Sequence, residues 1–434
     1  MHELKNIEKE RALLIGLTLT SKGRWETEEH LEELALLADT AGAEVFEKCI
    51  QEKEKIDPAF YIGRGKAEWI ADRAKDNDVD LLIFDDDLSP AQVRNLEKLS
   101  GKKILDRSGL ILDIFARRAK SREAKTQVEL AQLNYLLPRL TRQWTHLSRQ
   151  VGGIGTRGPG ETQLEVDRRL VRKRISTLTK ELQKIKHQRE VRRRNREVPM
   201  KIALVGYTNA GKSTLMNALT QSSVFVENRL FATLDATVRR LTLSKKTDVL
   251  LIDTVGFIRK LPHHLVASFM STLEEAKEAD ALLHVVDMSH PHLFEHLTVV
   301  KEVLSQLNIL NKPTIFVFNK IDLLEHKGLL LRLQNEYAPA VFVSATKGLF
   351  LQDLKEKIAE VLSDSVVEMT VSLALNCSEL ISKIYELSEV LDSKYDKHGV
   401  QLKLRTSQDK SHKIARLLSA QSQNDDGMTG DEDE

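Results

Sequence analysis

The sequence predicts a multidomain α/β protein. A doubly wound domain with a mostly parallel sheet occupies its centre, preceded by a small α/β domain with a long antiparallel helical hairpin and followed by a small α+β appendix. Three observations predict this order. Apolar runs alternate with helix-period segments over residues 1–115 and again from Met200, the pattern of buried strands joined by helices. Two stretches with apolar residues three and four apart flank a glycine-rich segment, the pattern of two helices packed side by side. The chain of 434 residues, at roughly 100 to 200 per domain, has room for two to four domains.

In the first domain (1–115), Ala12–Leu17, Asp80–Phe84 and a run near Ile104 read as strands. Glu28–Ala41, Ala67–Lys75 and Pro90–Leu99 read as helices. The hairpin (116–197) carries one seam at Leu130, Leu133, Leu137, Leu140, Trp144 and Leu147, where Pro138 is placed to kink the arm, and a second at Val171, Ile175, Leu178, Leu182 and Ile185. A helix from Glu161 to Glu197 would be on the order of 55 Å long at ~1.5 Å per residue. In the central domain (198–363), buried parallel strands are expected at Ile202–Val205, Val249–Ile252, Ala281–Val286, Thr314–Phe318 and Ala340–Val343. The appendix (364–420) reads as strand Glu368–Leu375, helix Ser378–Leu391 and strand Val400–Arg405. Residues 421–434 read as a disordered tail, with six acids and no base from Asn424 onward.

Composition excludes other classes. With 41% hydrophobic and 30% charged residues and no apolar run near the ~20 residues of a spanning helix, a soluble, monomeric, cytoplasmic protein is expected, with at most peripheral attachment to a ribosome or membrane. Met1–Leu13 lacks the apolar core of a signal peptide. Cys49 and Cys377 are too few for a disulfide framework and read as buried thiols. The net charge of +1 gives no global pull toward nucleic acid, but Arg139–Glu197 holds seventeen bases and six acids.

Gly206-Tyr207-Thr208-Asn209-Ala210-Gly211-Lys212-Ser213 fits G-x-x-x-x-G-K-[ST] after a strand-like run and before a helix opening at Thr214. Its glycines let backbone N–H groups close on phosphate, Lys212 reaches the β and γ oxygens, and Ser213 offers a hydroxyl to Mg²⁺. Asn319-Lys320-Ile321-Asp322 selects guanine: the Asp322 carboxylate accepts from N1–H and the N2 amino group, donors that adenine lacks on that edge. Ser344-Ala345-Thr346 follows the next strand, where a backbone amide meets guanine O6. Asp253-Thr254-Val255-Gly256 closes another strand, giving a carboxylate for Mg²⁺ through water and a backbone N–H for the γ-phosphate. Each motif alone is weak, but four in order, each at the carboxyl end of an expected strand, describe a P-loop GTPase domain.

The set resembles the translation-factor-like GTPases, and within them the HflX family. Leu230-Phe231-Ala232-Thr233-Leu234-Asp235-Ala236-Thr237 is similar to the family's switch I. Gly152-Gly153-Ile154-Gly155-Thr156-Arg157-Gly158-Pro159-Gly160-Glu161-Thr162-Gln163-Leu164-Glu165 and Tyr61-Ile62-Gly63-Arg64-Gly65-Lys66 carry the likeness across residues 10 to 365. The resemblance implies Thr233 as the second protein ligand of Mg²⁺, with Thr237 the competing candidate. Two departures stand out: Ala236 replaces a usual proline, and Thr346 replaces the lysine that commonly follows Ser-Ala. The resemblance also implies a ribosomal partner, chiefly the large subunit and its RNA, with affinity gated by GTP and the ribosome remodelled or split.

Phe257 follows Asp253–Gly256 where Ras-like enzymes place a water-orienting glutamine. It cannot hydrogen-bond, so slow intrinsic hydrolysis is expected, assisted by a partner or a reordered switch; the competing reading makes Phe257 a core residue. Asn209 occupies the position where potassium-activated GTPases hold K⁺. For RNA, the candidates are Gly152, Gly153, Gly155, Arg157, Gly158 and Gly160 at the hairpin tip and the cluster Arg192, Arg193, Arg194. Gly63-Arg64-Gly65-Lys66 lacks phosphate-loop spacing and reads as a turn or RNA contact. Asp85-Asp86-Asp87 reads as an acidic helix start rather than a metal site. A GTP-gated RNA switch or chaperone acting away from ribosomes is the alternative function; a membrane or tRNA-modifying role has no supporting segment.

Overall fold

The computed structural model describes residues 9–20, 23–140, 163–193, 199–220, 230–244, 247–260, 275–324, 328–364, 366–373, 378–395, 399–407, 411 and 414–418. They form two compact units, 1–349 and 350–434.

The first unit opens with β1 (Arg11–Leu19), α1 (Arg24–Ala41), β2 (Glu44–Lys53), α2 (Arg64–Asp76), β3 (Leu81–Phe84), α3 (Pro90–Ser100) and β4 (Lys103–Asp106), an all-parallel sheet ordered β2-β1-β3-β4. Its central strands are apolar without alternation because helices cover both faces: Leu81–Phe84 are all buried. α1 buries Leu31, Leu34, Leu37, Ala38 and Ala41 along one stripe, and ends at Gly42, whose left-handed φ of 87° lets its amide close on Ala38 and Asp39. Ser89 and Gln92 form a capping box at α3, with Pro90 in the first turn, a cap that adds about 1 kcal/mol. The helix therefore starts at Pro90, not at the acidic run before it. Two elements escape the sequence reading. β2 is half-buried and interleaves charges with apolar residues, which dilutes its apolar signal. α4 (Arg107–Arg118) follows β4 directly, so one apolar stretch contains both a strand and a helix.

The hairpin arms are α5 (Arg122–Leu136), which runs into a 3-10 turn at Leu137–Arg139 containing Pro138, and α6 (Gln163–Arg193). They run antiparallel, since Arg122 meets Glu181 while Arg174 meets Glu129. α6 buries Val171 and Leu178 of the expected seam and Val166 besides, while Ile175, Leu182 and Ile185 are only partly covered. α5 differs: its buried apolar residues are Ala124, Val128 and Ala131, which join the core of the first domain, while Leu130 and Leu133 are only partly covered. A helix facing two neighbours has two stripes, and the leucines of one conceal the smaller residues of the other. Trp144, Leu147 and the tip lie outside the described residues.

The central domain is a six-stranded sheet ordered β10-β9-β8-β5-β7-β6. Its strands are β5 (Lys201–Gly206), β6 (Thr237–Ser244), β7 (Thr247–Asp253), β8 (Ala281–Asp287), β9 (Thr314–Asn319) and β10 (Ala340–Phe342), with helices α7 (Lys212–Thr220), α8 (Leu293–Gln306) and α9 (Gly328–Glu336). All pairings are parallel except β6 with β7. β6 is an edge strand with Val238, Arg239 and Arg240 exposed, and lacks the continuous apolar run that marks the others. Strand order reverses between β5 and β8, where doubly wound folds bind ligands.

The second unit holds α10 (Leu351–Asp364), β11 (Val366–Leu373), α11 (Ser378–Leu387), β12 (Glu389–Tyr395) and β13 (Val400–Ser407). The strands make an antiparallel sheet ordered β11-β13-β12, with Val371, Leu380, Ile384, Leu402 and Leu404 in its core. The appendix is thus β-α-β-β: the expected helix to Leu391 stops at Leu387, and Glu389 onward pairs as β12. Cys377 and the acidic tail lie outside the described residues; Cys49 is buried on β2.

Candidate nucleotide site

The loop from Gly206 to Gly211 leaves β5 at the strand-order reversal and enters α7. Only glycine fits its ends: Gly206 has φ 152° and a Cβ there would lie 2.2 Å from the Val285 carbonyl, while Gly211 has φ 92° and a Cβ 2.3 Å from Asn319 Nδ2. Asn209, exposed at the turn, has φ 60°. Lys212 folds back over the loop, its Nζ donating to the carbonyls of Gly206 (3.1 Å) and Tyr207 (2.9 Å). Burial pushes its pKa down to about 8, against the pull of Asp253.

Three oxygens converge beside it. Ser213 Oγ donates to Asp253 Oδ2 at 2.5 Å, Thr233 Oγ1 donates to the same oxygen at 3.1 Å, and the two hydroxyls are 2.8 Å apart. Burial raises the Asp253 pKa, opposed by Lys212 and by the two hydroxyl hydrogen bonds. Asp253 Oδ1 is buried with no hydrogen-bond partner among the described residues. Hard oxygen donors with a spare carboxylate lone pair suit Mg²⁺. A phosphate on Lys212 and a divalent cation on Asp253 would each favour the charged form of its partner. Thr237, the competing switch I threonine, instead begins β6 in register with Asp253.

A small cleft is lined by Thr208, Asn209, Gly211, Lys212, Ser213, Thr214, Phe231, Ala232, Thr233, Thr254 and Gly256, all of them sequence-derived candidates. Gly256 lies against the loop: a Cβ there would be 2.6 Å from Thr208 Cα and 3.0 Å from Lys212 Nζ. The next residue continues this edge, with Thr208 N donating to Phe257 O at 2.7 Å and Phe257 N to Gly206 O at 3.1 Å. The Phe257 ring is buried with Ala203, Val205 and Leu282 in the core. That fits the core reading of Phe257 and leaves no polar side chain at the glutamine position.

At the carboxyl end of β9, Asn319 links the base-side loops to the phosphate loop. Its Nδ2 donates to Ala210 O and its Oδ1 accepts from Ala345 N, each at 3.0 Å. Lys320, at φ 65°, pairs with Asp287 at 2.6 Å. Ile321–Leu323 form a 3-10 turn that leaves Asp322 exposed. Ser344 is buried, its Oγ accepting from Lys347 N and lying 3.4 Å from Thr346 Oγ1.

Other candidates also make contacts that hold the surrounding segments in place. Phe231 donates its amide to Thr208 Oγ1 at 3.0 Å, but its ring packs edge-on to Phe115 of α4, 4.7 Å between centroids. Leu230, Leu234 and Val255 join the same core. Asp235 accepts from the amides of Lys120 (2.9 Å) and Ser121 (3.2 Å) at the start of α5. Thr254 Oγ1 donates to Leu204 O at 2.5 Å. Tyr207 points its side chain away from the cleft into the first domain, where its hydroxyl donates to Glu33. Gly152, Gly153, Gly155, Arg157, Gly158, Gly160 and Arg194 lie outside the described residues, and Arg192 and Arg193 end α6.

The sequence reading missed the polar contacts with the first domain. Asp85 and Asp86 receive Lys260 Nζ, the latter at 2.6 Å, and Asp87 accepts from Ser108. The acidic run is therefore a socket for a lysine four residues after Gly256. Lys66 of the Gly63–Lys66 segment, which opens α2, instead covers the Trp69 ring at 3.8 Å.

Four family models match in chain order: GTP-binding GTPase N-terminal over 28–116, GTP-binding GTPase Middle Region over 118–196, 50S ribosome-binding GTPase over 201–320 and HflX C-terminal domain over 330–427. GTPase HflX of Caldanaerobacter subterraneus is 46% identical over 93% of this chain and 92% of its own, and GTPase HflX of Escherichia coli 43% identical over 91% and 93%. The chain belongs to the HflX family. It is accordingly a GTPase, a P-loop protein that binds and hydrolyses GTP. Among solved structures, a GTP-binding protein from Sulfolobus solfataricus in complex with GDP is 29% identical, covering 82% of this chain and 99% of that one, at a TM-score of 0.44. No described helix of this HflX-family chain is long and apolar enough to cross a membrane.

Proposed function

We propose that this GTPase binds the ribosome, chiefly its large subunit, in the GTP form, remodels or splits it, and is reset by hydrolysis. The observation that carries the reading is α6, whose Arg169, Arg172, Lys173, Arg174, Lys180 and Lys184 are exposed on an arm leading from the glycine-rich segment to the nucleotide domain. Such a surface suits RNA phosphate, and the matched model described as a 50S ribosome-binding GTPase supports the partner.

In this reading Lys212 and the loop amides hold the β and γ phosphates. Ser213 and Thr233 are the protein ligands of Mg²⁺, Asp253 binds it through water, and the Gly256 N–H meets the γ-phosphate. Asp322 reads the guanine edge, and the Ala345 amide meets O6. Asn209 holds K⁺ beside the phosphates, replacing part of an arginine finger. With Phe257 in the core, turnover alone is slow and the partner stimulates it. Asn319 acts on the base through the two loops it joins, while Tyr207, Phe231, Leu234 and Asp235 anchor the surrounding segments.

The test is GTP hydrolysis with and without purified large ribosomal subunits, repeated with Arg157→Ala. Strong stimulation that the substitution weakens is expected. Stimulation by unstructured RNA and none by subunits would favour the RNA switch instead. Equal turnover in Na⁺ and K⁺ would remove the K⁺ role. Asp322→Asn, which replaces one of the two acceptor oxygens by a donor, should weaken GTP binding.

A further inference from the structure

In open parallel α/β sheets the crevice at the carboxyl ends of the strands, where strand order reverses, is the usual ligand position. In the first domain that reversal lies between β1 and β3, and Asp85–Asp87 stand at its rim. Here the crevice is filled from within the chain. Lys260 reaches Asp85 and Asp86, and Arg107 Nη1 donates to Asp85 Oδ1 at 2.7 Å.

Glu33 of α1 is the junction of this network. Its carboxylate pairs with the fully buried Arg107, accepts from Tyr207 Oη and lies 3.6 Å from Arg259 Nε. The Arg259 amide in turn donates to Tyr207 Oη at 2.9 Å, and the Tyr207 ring stacks on His296 with centroids 3.7 Å apart. Arg259 also reaches Glu29 at 2.9 Å and Glu295 at 3.4 Å. Its guanidinium therefore occupies the one His/carboxylate grouping among the described residues with metal-like spacing, Glu29, His292 and Glu295. A divalent cation there would have to displace it.

Two of these residues belong to the reaction's own segments. Tyr207 supplies a backbone unit of the phosphate loop, and Arg259 lies three residues beyond Gly256. We propose that Glu33 is a positioning residue for GTP hydrolysis, acting from the first domain through Tyr207 and Arg259 to fix the phosphate loop and the Gly256 segment in one arrangement. Glu33 touches no reacting atom. Its effect comes from a buried carboxylate that accepts hydrogen bonds from Arg107 and Tyr207 and pairs by charge with Arg259, so one position serves all three groups. Movement of either segment must break a contact with the other.

The experiment is a double-variant cycle in the full chain, reading kcat and KM for GTP with sites counted by bound nucleotide. Tyr207→Phe removes one hydroxyl and keeps the stacked ring; Glu33→Gln removes the charge. Each is expected to shift kcat by about fivefold or more in the same direction, with KM moving less than about twofold, and the double variant should match a single one. Independent, multiplying effects would overturn the proposal, as would an unchanged kcat in Tyr207→Phe. If Glu33→Gln fails to fold because Arg107 loses a partner, Tyr207→Phe still decides: unchanged kcat, or KM changed alone, rejects the positioning role.

Discussion

Lys260 Nζ lies 2.6 Å from Asp86 Oδ1 although 174 residues separate them. The same ammonium pairs with Asp85, a carboxylate only 2% exposed, so the segment after Gly256 is anchored in the sheet of the first domain. Lys260→Ala should cost ~1–3 kcal/mol in denaturant unfolding, because a buried carboxylate keeps Arg107 but loses its second cation. Arg24→Ala, at an exposed pair with Glu28, should stay within ~0.5 kcal/mol. Equal effects would show that the socket adds nothing beyond surface charge.

Asn319→Ala removes both hydrogen bonds that join the base-side loop to the phosphate loop. Leaving two buried backbone groups unpaired costs ~1–3 kcal/mol, so GDP affinity should fall by about tenfold or more. Equilibrium titration with a fluorescent GDP analogue measures it.

Gly256→Ala places a methyl 2.6 Å from the Thr208 backbone, which the neighbouring Phe257 hydrogen bonds hold in place. The segment must shift away from the loop. Single-turnover GTP hydrolysis should drop about a hundredfold, the scale of losing one donor to developing charge, while GDP still binds.

Thr233 and Thr237 separate cleanly. Thr233→Ala removes a hydroxyl from the Ser213–Asp253 cluster and should lower kcat about tenfold or more, with a higher Mg²⁺ requirement. Thr237→Ala, in a strand, should leave kcat within about threefold. The reverse ranking in a Mg²⁺ titration would reassign the ligand.

His296 is kept neutral by burial and by His290, Arg259 and His292, its pKa lowered to about 3. Because the unfolded chain binds this proton near pH 6.5 and the folded chain does not, its contribution to stability is full above about pH 6.5 and is lost progressively as pH falls toward 3. His296→Phe keeps an aromatic face on Tyr207 and removes the proton site. The denaturation midpoint of the variant should therefore fall less steeply than the parent's between pH 6.5 and 5; parallel slopes would contradict the assignment.

Local pattern determined much of this protein. The convergence of the candidate site residues was legible because they sit in short motifs with fixed spacing: Gly206–Ser213, Asp253–Gly256 and Asn319–Asp322 each close a strand whose burial on both faces makes it a continuous apolar run. α6 was legible because one stripe of a helix with a single covered face repeats at helical spacing.

What tertiary structure alone decided lies where signals are non-local or mixed. Edge strands β2, β6 and β12 carry charge that masks them, and α5 hides a stripe of small residues behind its leucines. Phe257 faces the core of the central domain because β5, β8 and α8 close over it, Tyr207 faces the first domain because the two domains meet there, and Glu33 and Asp85 gain Tyr207, Arg259 and Lys260 as partners only across that meeting. A buried charge is stable only beside its partner, and the partner's identity is set by the packing of distant segments, which no spacing along the chain encodes.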